Sequence, residues 1–123
     1  MPPDSRYDPL LHGPRRVVTE GFHAQVWELV ATVPAGSLTT FGDVAAGLGL
    51  RSVARQVGWA LAALPDGSDV PWFRVVTASG KLSVRGDGRP SREQVRLLGI
   101  DGVEVDERGK VVGFRERRHV FTE

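Results

Sequence analysis

The amino-acid sequence predicts a single α+β domain of the winged-helix type, in which a helix-turn-helix is followed by a β-hairpin. Three observations support this prediction. The chain has 123 residues, which is the length of one domain. Three stretches with apolar residues at helical spacing come first, and about three residues join the second to the third, as in a helix-turn-helix. An alternating apolar stretch around a Gly-containing turn comes next and indicates the hairpin.

The composition excludes several classes of protein. Hydrophobic residues make up 41% of the chain and charged residues 25%, which excludes a disordered tail, a coiled coil and a collagen-like chain. No stretch approaches the roughly 20 apolar residues of a membrane span, and the N-terminus lacks the apolar region of a secretory signal. Because the sequence has no cysteine, a disulfide framework, a Cys-ligated zinc site and a thiol nucleophile are also excluded. We therefore expect a cytoplasmic protein with no membrane partner.

The domain is predicted to follow a flexible N-terminal arm. Residues 1–20 are rich in proline and show no apolar periodicity, so they are assigned to the arm, and residues 21–123 to the domain. The first helix is predicted to begin at Phe22. Its apolar stripe continues to Val33, where the sequence Pro34-Ala35-Gly36 ends it.

The next two predicted helices form the helix-turn-helix. Thr40 and Asp43 have the spacing of a capping box and predict the start of the second helix, which Gly49 ends. The third helix is predicted to begin at Ser52 and to end in a turn at residues 65–67. Its buried stripe is predicted to comprise Val53, Val57, Ala60, Leu61 and Leu64.

The predicted hairpin completes the winged helix. Residues 70–76 are expected to be extended, residues 78–81 to turn, and residues 82–84 to form the return strand. The remaining elements follow in order: a helix opened by a capping box at Ser91 and ended by Gly99, and two short strands over residues 103–105 and 110–112.

No catalytic or metal-binding motif is visible in the sequence. The three histidines lie far apart and lack the spacing of zinc ligands. There is also no nucleophile elbow, phosphate-binding loop or dinucleotide-binding glycine pattern. Asp43 is expected to cap its helix rather than to act as an acid or base. We therefore predict no metal, no cofactor and no catalytic residue.

Positive charge is concentrated in the middle of the chain. Residues 51–98 carry a net charge of +4, against −2 for residues 1–50 and −1 for residues 99–123. Such a distribution fits a surface that contacts phosphates, and it also fits an arginine-rich solvated surface.

One face of the third helix combines cationic and aromatic side chains. Arg51, Arg55 and Trp59 are spaced four residues apart, beside or opposite the apolar stripe. Gly58 lies between them and costs a helix about 1 kcal/mol relative to alanine, which suggests that another molecule approaches the backbone closely. The alternative is that the arginines are solvated and that the N-terminal arm covers the indole.

The segment Pro71-Trp72-Phe73-Arg74-Val75-Val76 resembles the PCHRVV active-site loop of the O6-alkylguanine-DNA alkyltransferases, with tryptophan in place of the nucleophilic cysteine. This replacement is typical of the alkyltransferase-like proteins of that family, which bind alkylated guanine in DNA and do not repair it. Further matching segments occur in the order and spacing of the family: residues 22–27, 33–36, 39–45, 54–58 and 97–102. The resemblance covers roughly residues 22–105 and implies the fold of the family's C-terminal DNA-binding domain.

The resemblance also implies roles for individual residues. Arg55 matches the arginine finger that fills the space left by a flipped nucleotide, and Phe41 matches a tyrosine that helps to rotate the base outward. Trp72 would line the pocket floor, and Arg85 matches an arginine that can lie against the flipped base. The implied lesion pocket comprises Trp72, Arg85, Phe41, Val84 and Gly86. The implied DNA-binding surface comprises Arg55, Phe41, Thr39, Thr40, Ser52, Gly58, Trp59 and Ala78.

Four residues depart from the family pattern. Phe73 replaces the histidine that assists the cysteine, and Asp101 stands where a glutamate commonly completes that hydrogen-bond relay. Without a thiol to activate, Asp101 is expected to have nothing to orient. Phe41 keeps the bulk of the tyrosine but loses its hydroxyl. Trp59 stands where relatives have small or polar residues.

The function that the resemblance implies is non-enzymatic recognition of O6-alkylguanine lesions by minor-groove docking and base flipping. The expected partners of this cytoplasmic, nucleoid-associated monomer are double-stranded DNA containing O6-alkylguanine and nucleotide-excision repair proteins. The alternative is a winged-helix transcription regulator that reads undamaged DNA in the major groove, for which Gln56 is the only base-edge amide available on the third helix. An enzyme that uses another nucleophile is a third possibility, disfavoured because an indole occupies the reactive position.

Overall fold

A computed structural model describes residues 21–50, 52–83 and 91–121. The elements run in the order α1 (Phe22–Val30), β1 (Thr39–Thr40), α2 (Phe41–Gly47), α3 (Ala54–Ala62), a 3₁₀ turn (Trp72–Arg74), β2 (Val75–Val76), α4 (Arg92–Ile100) and α5 (Phe114–Arg117). The predicted N-terminal arm, Arg51 and the site residues Val84, Arg85 and Gly86 lie outside the described residues. Within the described ranges, no helix is both long enough and apolar enough to cross a membrane.

Helix α1 packs its apolar stripe against the helix-turn-helix. Phe22, Val26 and Val30 are buried, and the indole nitrogen of Trp27 donates a hydrogen bond of 2.7 Å to the carbonyl of Ala60 in α3. The helix ends at Val30, earlier than the predicted Val33, because the backbone nitrogens of Thr32 and Val33 bond to carbonyls three residues back, as in the tightened turn that often ends a helix.

The helix-turn-helix consists of α2 and α3. The predicted capping box is confirmed, since the Thr40 hydroxyl accepts a hydrogen bond of 2.9 Å from the Asp43 backbone nitrogen. The prediction that α3 begins at Ser52 is wrong: the helix begins after Val53, which has no capping hydrogen bond but is buried in the core. Six residues therefore connect the two helices, rather than about three.

The predicted hairpin is the main error in the sequence analysis. Residues 72–74 form the 3₁₀ turn, and β2 pairs in parallel with β1, in the register Thr39 to Val75 and Thr40 to Val76. The turn at residues 78–81 is confirmed by hydrogen bonds between Thr77 and both Gly80 and Lys81. After this turn the chain pairs with the C-terminal segment, through Lys81 and Lys110, instead of with residues 75–76.

The C-terminal part folds back onto β1. The capping hydroxyl of Ser91 is confirmed, but α4 continues through Gly99 to Ile100. The two predicted short strands over residues 103–105 and 110–112 are reduced to an isolated antiparallel bridge between Val105 and Val111, so their pairing is observed but neither forms a strand. Helix α5 was not predicted, because four residues are too few to show a helical period.

Two apolar clusters lie on either side of β2. Alternate side chains of a strand point to opposite faces, so Val75 belongs to one cluster and Val76 to the other. The first cluster contains Phe22, Val26, Val30, Val44, Ala45, Val53, Val57, Ala60 and Val75. The second contains Leu38, Val76, Leu82, Leu98, Val103 and Val111. Leu61 and Leu64, which were predicted to lie in the buried stripe of α3, are half-buried and line a cavity beside Trp72.

Candidate nucleic-acid interface and base pocket

The outer face of α3 presents a cation and an indole to solvent. Arg55 and Trp59 are exposed and lie one helical turn apart, while Val57 and Ala60 are buried on the opposite face. Trp59 is 58% exposed, an unusual environment for a tryptophan. Ser52 and Arg55 also line a cavity of about 360 Å³ at the beginning of the helix.

Gly58 faces Phe41 across a gap that a methyl group would fill without strain. A Cβ added to Gly58 would lie 3.7 Å from Cε1 of Phe41, which is ordinary van der Waals contact. Packing against the residues that the structure describes therefore does not require glycine here. Because glycine has no side chain, the α3 backbone at this position is not covered on the side that faces Phe41, the first residue of α2.

A second cavity, of about 260 Å³, lies between α3 and the 3₁₀ turn. Its walls are mainly apolar and comprise Phe41, Gly58, Leu61, Ala62, Trp72, Val75, Ser83 and Gln94. We call this cavity the base pocket. It brings together Phe41 and Trp72, two of the residues predicted to form the lesion pocket, together with Gly58 from the predicted DNA-binding surface.

The indole of Trp72 borders two cavities. It closes one side of the base pocket, and it also lines a cavity of about 230 Å³ beside Leu64 and the turn at residues 65–68. Its backbone nitrogen donates a hydrogen bond of 2.8 Å to the carbonyl of Val70, and its ring meets Phe73 edge to face at 6.0 Å. The 3₁₀ turn thus supplies the main aromatic wall of the base pocket.

An ion pair between Arg74 and Asp101 anchors the 3₁₀ turn. Arg74 makes two hydrogen bonds, of 2.7 and 2.9 Å, to the carboxylate of Asp101, and a third of 2.9 Å to the carbonyl of Val33. The two side chains are 16% and 7% exposed, and the Arg74 hydrogen bond lowers the pKa of Asp101 below its ordinary value. The expectation that Asp101 has nothing to orient is therefore wrong: it anchors the arginine of the active-site-like loop.

The amide of Gln94 supports the same turn from α4. It is buried and donates hydrogen bonds of 3.0 and 3.3 Å to the carbonyls of Phe73 and Val75. In the sequence, Gln94 falls within the predicted capping box of α4, and the burial of its amide on the same helix as the core residue Leu98 could not be foreseen. Phe73 itself is half-buried and packs against the second apolar cluster, so a phenyl ring fills the position of the family's histidine.

Two threonines predicted to bind DNA are not on the surface. Thr39 and Thr40 are 0% and 2% exposed, because β1 lies next to β2 between the apolar clusters. The Thr40 hydroxyl caps α2 instead of facing outward. Direct contact of these side chains with DNA is thus contradicted by their burial. Ser52 and Ala78 are exposed, and Ala78 lines a separate cavity formed by the C-terminal segment.

A family profile described as "6-O-methylguanine DNA methyltransferase, DNA binding domain" matches residues 21–103. The chain belongs to this family. The family and the α+β fold predicted from the sequence are thereby confirmed.

The chain covers most of the length of two relatives. The "DNA base-flipping protein" of Vibrio parahaemolyticus is 40% identical over 90 residues, which are 73% of this chain and 88% of the relative. "Alkyltransferase-like protein 1" of Schizosaccharomyces pombe is 36% identical over 84 residues, which are 68% of this chain and 78% of the relative. The crystal structure of S. pombe Atl1 with damaged DNA containing O6-carboxymethylguanine superposes with a TM-score of 0.73 at 28% identity, covering 83% of this chain and 97% of that one.

Proposed function

We propose that this protein recognises O6-alkylguanine in duplex DNA by docking α3 in the minor groove and receiving the flipped base in the base pocket. The observation that carries the proposal is the mainly apolar cavity between α3 and Trp72, directly beside the exposed face of Arg55 and Trp59. The alkyltransferase-like relatives, one of which is named for base flipping and another of which has been crystallised with damaged DNA, support the same function.

The arrangement explains how an alkylated base is preferred. Extruding a nucleotide costs a few kcal/mol, and the cost is least for a base that already pairs poorly. Arg55 is exposed on α3 and acts as the finger that fills the vacated space in the stack. Phe41 stands at the entrance to the pocket, and the indole of Trp72 offers an apolar surface to the alkyl group. Arg85 is assigned the role that the family resemblance implies, which is contact with the flipped base.

The residues around Trp72 support binding without alkyl transfer. The sequence contains no cysteine, so no thiolate is available to attack the alkyl group. Phe73 has no proton acceptor, and the carboxylate of Asp101 is engaged by Arg74. The protein acts as a sensor that leaves the lesion chemically unchanged.

A lesion that is bound but not repaired needs a second activity to remove it. By resemblance, the bound protein acts as a cytoplasmic, nucleoid-associated monomer that marks the site for nucleotide-excision repair proteins. The corresponding test is a reconstituted excision reaction on a duplex with one O6-methylguanine, with and without this protein. We expect faster incision of the alkylated strand, and no stimulation would contradict this part of the proposal.

A regulator of undamaged DNA is less well supported. Major-groove reading depends on side chains that can form paired hydrogen bonds with base edges. Gln56 is the only amide side chain in α3, and it is half-buried, whereas the exposed positions hold Arg55 and a large indole.

Direct comparison of two duplexes tests the proposed function. The full chain is titrated with one oligonucleotide duplex carrying a single O6-methylguanine and with the same duplex carrying guanine. We expect clearly tighter binding to the alkylated duplex, and Trp72→Ala should reduce this preference more than it reduces binding to the unmodified DNA, because a pocket residue meets only an extruded base. Equal affinity of the parent protein for both duplexes would contradict lesion recognition.

A further inference from the structure

The C-terminal segment forms a cavity that the family match does not include. Its volume is about 450 Å³, and its walls are the turn at Ala78 and Ser79 together with Lys110, Val111, Gly113, Phe114, Arg115, Glu116 and Arg118. Seven of these nine residues lie beyond residue 103, where the family profile ends. We call this cavity the C-terminal cavity. Of its lining residues, only Ala78 belongs to the DNA-binding surface that the family resemblance implies.

The C-terminal cavity has the chemistry of an anion site. Among the described residues that line it, Lys110, Arg115 and Arg118 supply three cations and Glu116 supplies the one carboxylate. Arg118 is already paired with Asp43 through hydrogen bonds of 2.9 and 2.8 Å. Lys110 and Arg115 are both exposed, and neither forms an ion pair with another residue that the structure describes.

The turn at residues 77–80 adds backbone donors to this wall. The carbonyl of Thr77 accepts a hydrogen bond from Gly80, whereas the backbone nitrogens of Ala78 and Ser79 have no acceptor among the residues that the structure describes. Consecutive free N–H groups in a turn are a recurring way of binding oxyanions. The turn packs closely against Phe114, since a Cβ on Gly80 would lie only 2.6 Å from its Cγ, so a side chain at this position would clash.

The strand register brings the C-terminal cavity next to the proposed DNA face. Because β1 and β2 run in parallel, Phe41 and the turn that follows β2 emerge from the same end of the strand pair. Arg118, which lines the cavity, is bonded to Asp43 in the first turn of α2, two residues after Phe41. A duplex docked against α3 and Phe41 would therefore carry its backbone toward this cavity.

We propose that the C-terminal cavity binds a backbone phosphate of the DNA duplex, contacted by the side chains of Lys110 and Arg115 and by the turn at Ala78 and Ser79. The contact rests on the proposed DNA-binding function and extends the interface to a part of the chain outside the matched domain. Because every duplex carries the phosphate, the contact adds affinity without adding lesion preference.

The salt dependence of binding tests this proposal. Affinities of the parent protein, Arg115→Ala and Lys110→Ala are measured over a range of NaCl concentrations, on the alkylated and the unmodified duplex. Each variant should bind both duplexes more weakly by the same factor and give a shallower plot of log K against log salt. The double variant Lys110→Ala/Arg115→Ala should be shallower by about 0.9, because it loses the one phosphate contact altogether. Arg115→Lys should keep the parent's slope, because the charge remains.

Arg108→Ala is the matched control. Arg108 is an exposed arginine of the same C-terminal segment and does not line the cavity, so its removal changes the net charge equally. We expect it to leave the slope nearly unchanged. The proposal would be overturned if Arg108→Ala changed the slope as much as Arg115→Ala does. It would also be overturned if Arg115→Ala and Lys110→Ala left DNA binding unchanged. In that second case the cavity would serve a ligand other than DNA, such as an acidic peptide.

The two proposals fail in different ways in this experiment. Lesion recognition depends on the ratio of affinities of the parent protein for the two duplexes, whereas the phosphate contact depends on the slopes of the variants. A parent protein without lesion preference would contradict only the proposed function, and variants with unaltered slopes would contradict only the contact. Thermal unfolding of each variant confirms that exposed side chains have been removed without loss of the fold.

Discussion

Trp72 and Gly58 are the individual residues that determine what the base pocket can do. The indole of Trp72 replaces a nucleophile with an apolar wall, and it separates the base pocket from the neighbouring cavity. Gly58 leaves the facing helix backbone open opposite Phe41. In the proposed function, Trp72 stands in place of a nucleophile and Gly58 leaves room for a base.

Reinstalling the thiol should not restore efficient repair. In Trp72→Cys, the cysteine would have an ordinary pKa of about 8.5, and the thiolate is the reactive form. Phe73 cannot accept its proton, and the void left by the indole would loosen the geometry of attack. We expect little or no methyl transfer after incubation with O6-methylguanine DNA, measured by intact-protein mass spectrometry. Trp72→Cys combined with Phe73→His should react faster, and rapid stoichiometric methylation of the single variant would show that the histidine is dispensable.

Gly58→Ala should raise the stability of the protein while weakening its binding to DNA. Alanine is about 1 kcal/mol more favourable than glycine within a helix, and the new methyl group would meet Phe41 at an ordinary distance. We therefore expect a stabilised protein that binds DNA more weakly, because the methyl group projects toward the pocket and the docked strand. Thermal unfolding and duplex titration measure the two effects.

The control for this substitution is another helical glycine. Gly99 lies in α4, and a Cβ there would meet nothing within 4 Å. Gly99→Ala should stabilise the protein without altering DNA affinity. Undiminished binding by Gly58→Ala would mean that no partner approaches this backbone closely.

The 3₁₀ turn is the element on which the base pocket depends most. It is too short to be stable alone, and it is held by Arg74 bonded to Asp101 and by Gln94 of α4. These contacts come from residues 20 or more positions away in the chain, so the aromatic wall is positioned by tertiary contacts.

Asp101→Asn tests this anchoring. The substitution removes the charge and one acceptor opposite a largely buried guanidinium, which should lower the free energy of unfolding by about 1–3 kcal/mol. Binding of the alkylated duplex should weaken too, since Trp72 belongs to the same turn. Glu93→Gln is the control, because it makes the same change in the exposed pair with Arg96 and should have little effect.

The same ion pair predicts a dependence of stability on pH. Arg74 holds the pKa of Asp101 below the ordinary value of 3.8, so the unfolded state binds the proton more tightly than the folded state. The pair should therefore contribute fully above pH 3.8 and lose its contribution as the pH falls through the lowered pKa. Urea unfolding at a series of acidic pH values should show this loss in the parent protein, and a smaller loss in Asp101→Asn.

At the scale of the whole molecule, two halves of the fold meet at β2. The helical half contributes α3 with Arg55, and the other half contributes Gln94 and the residues that anchor the 3₁₀ turn. The base pocket lies where these halves join, so the proposed function would use side chains from both halves.

Arg55→Ala tests whether the protein flips the alkylated base out of the duplex. An arginine that fills the vacated stack should contribute about 1–3 kcal/mol on alkylated duplex, the range of a well-placed nucleic-acid contact. On single-stranded DNA with the same lesion no gap exists, so the loss should be smaller. Fluorescence titrations of both substrates provide the measurement, with Arg108→Ala as the charge control. Equal losses on duplex and single strand would contradict base flipping.

The sequence by itself determined the features that depend on neighbouring residues. The hydroxyl caps at Thr40 and Ser91, the apolar stripe of α1 and the turn before Lys81 each rest on interactions within a few positions. The family resemblance likewise rests on short motifs, and the two of its pocket residues that the structure describes, Phe41 and Trp72, do meet in one cavity.

Only the tertiary structure decided which distant segments meet. The parallel pairing of β1 with β2 joins two-residue strands that are too short to carry an alternating pattern, and it buries Thr39 and Thr40. The pairing of Arg74 with Asp101 and the burial of Gln94 likewise join residues 19 to 27 positions apart. Such contacts form because burial leaves a polar group no solvent to bond, so it must find a partner across the fold. The spacing of residues in the sequence does not identify that partner, whereas the folded structure does.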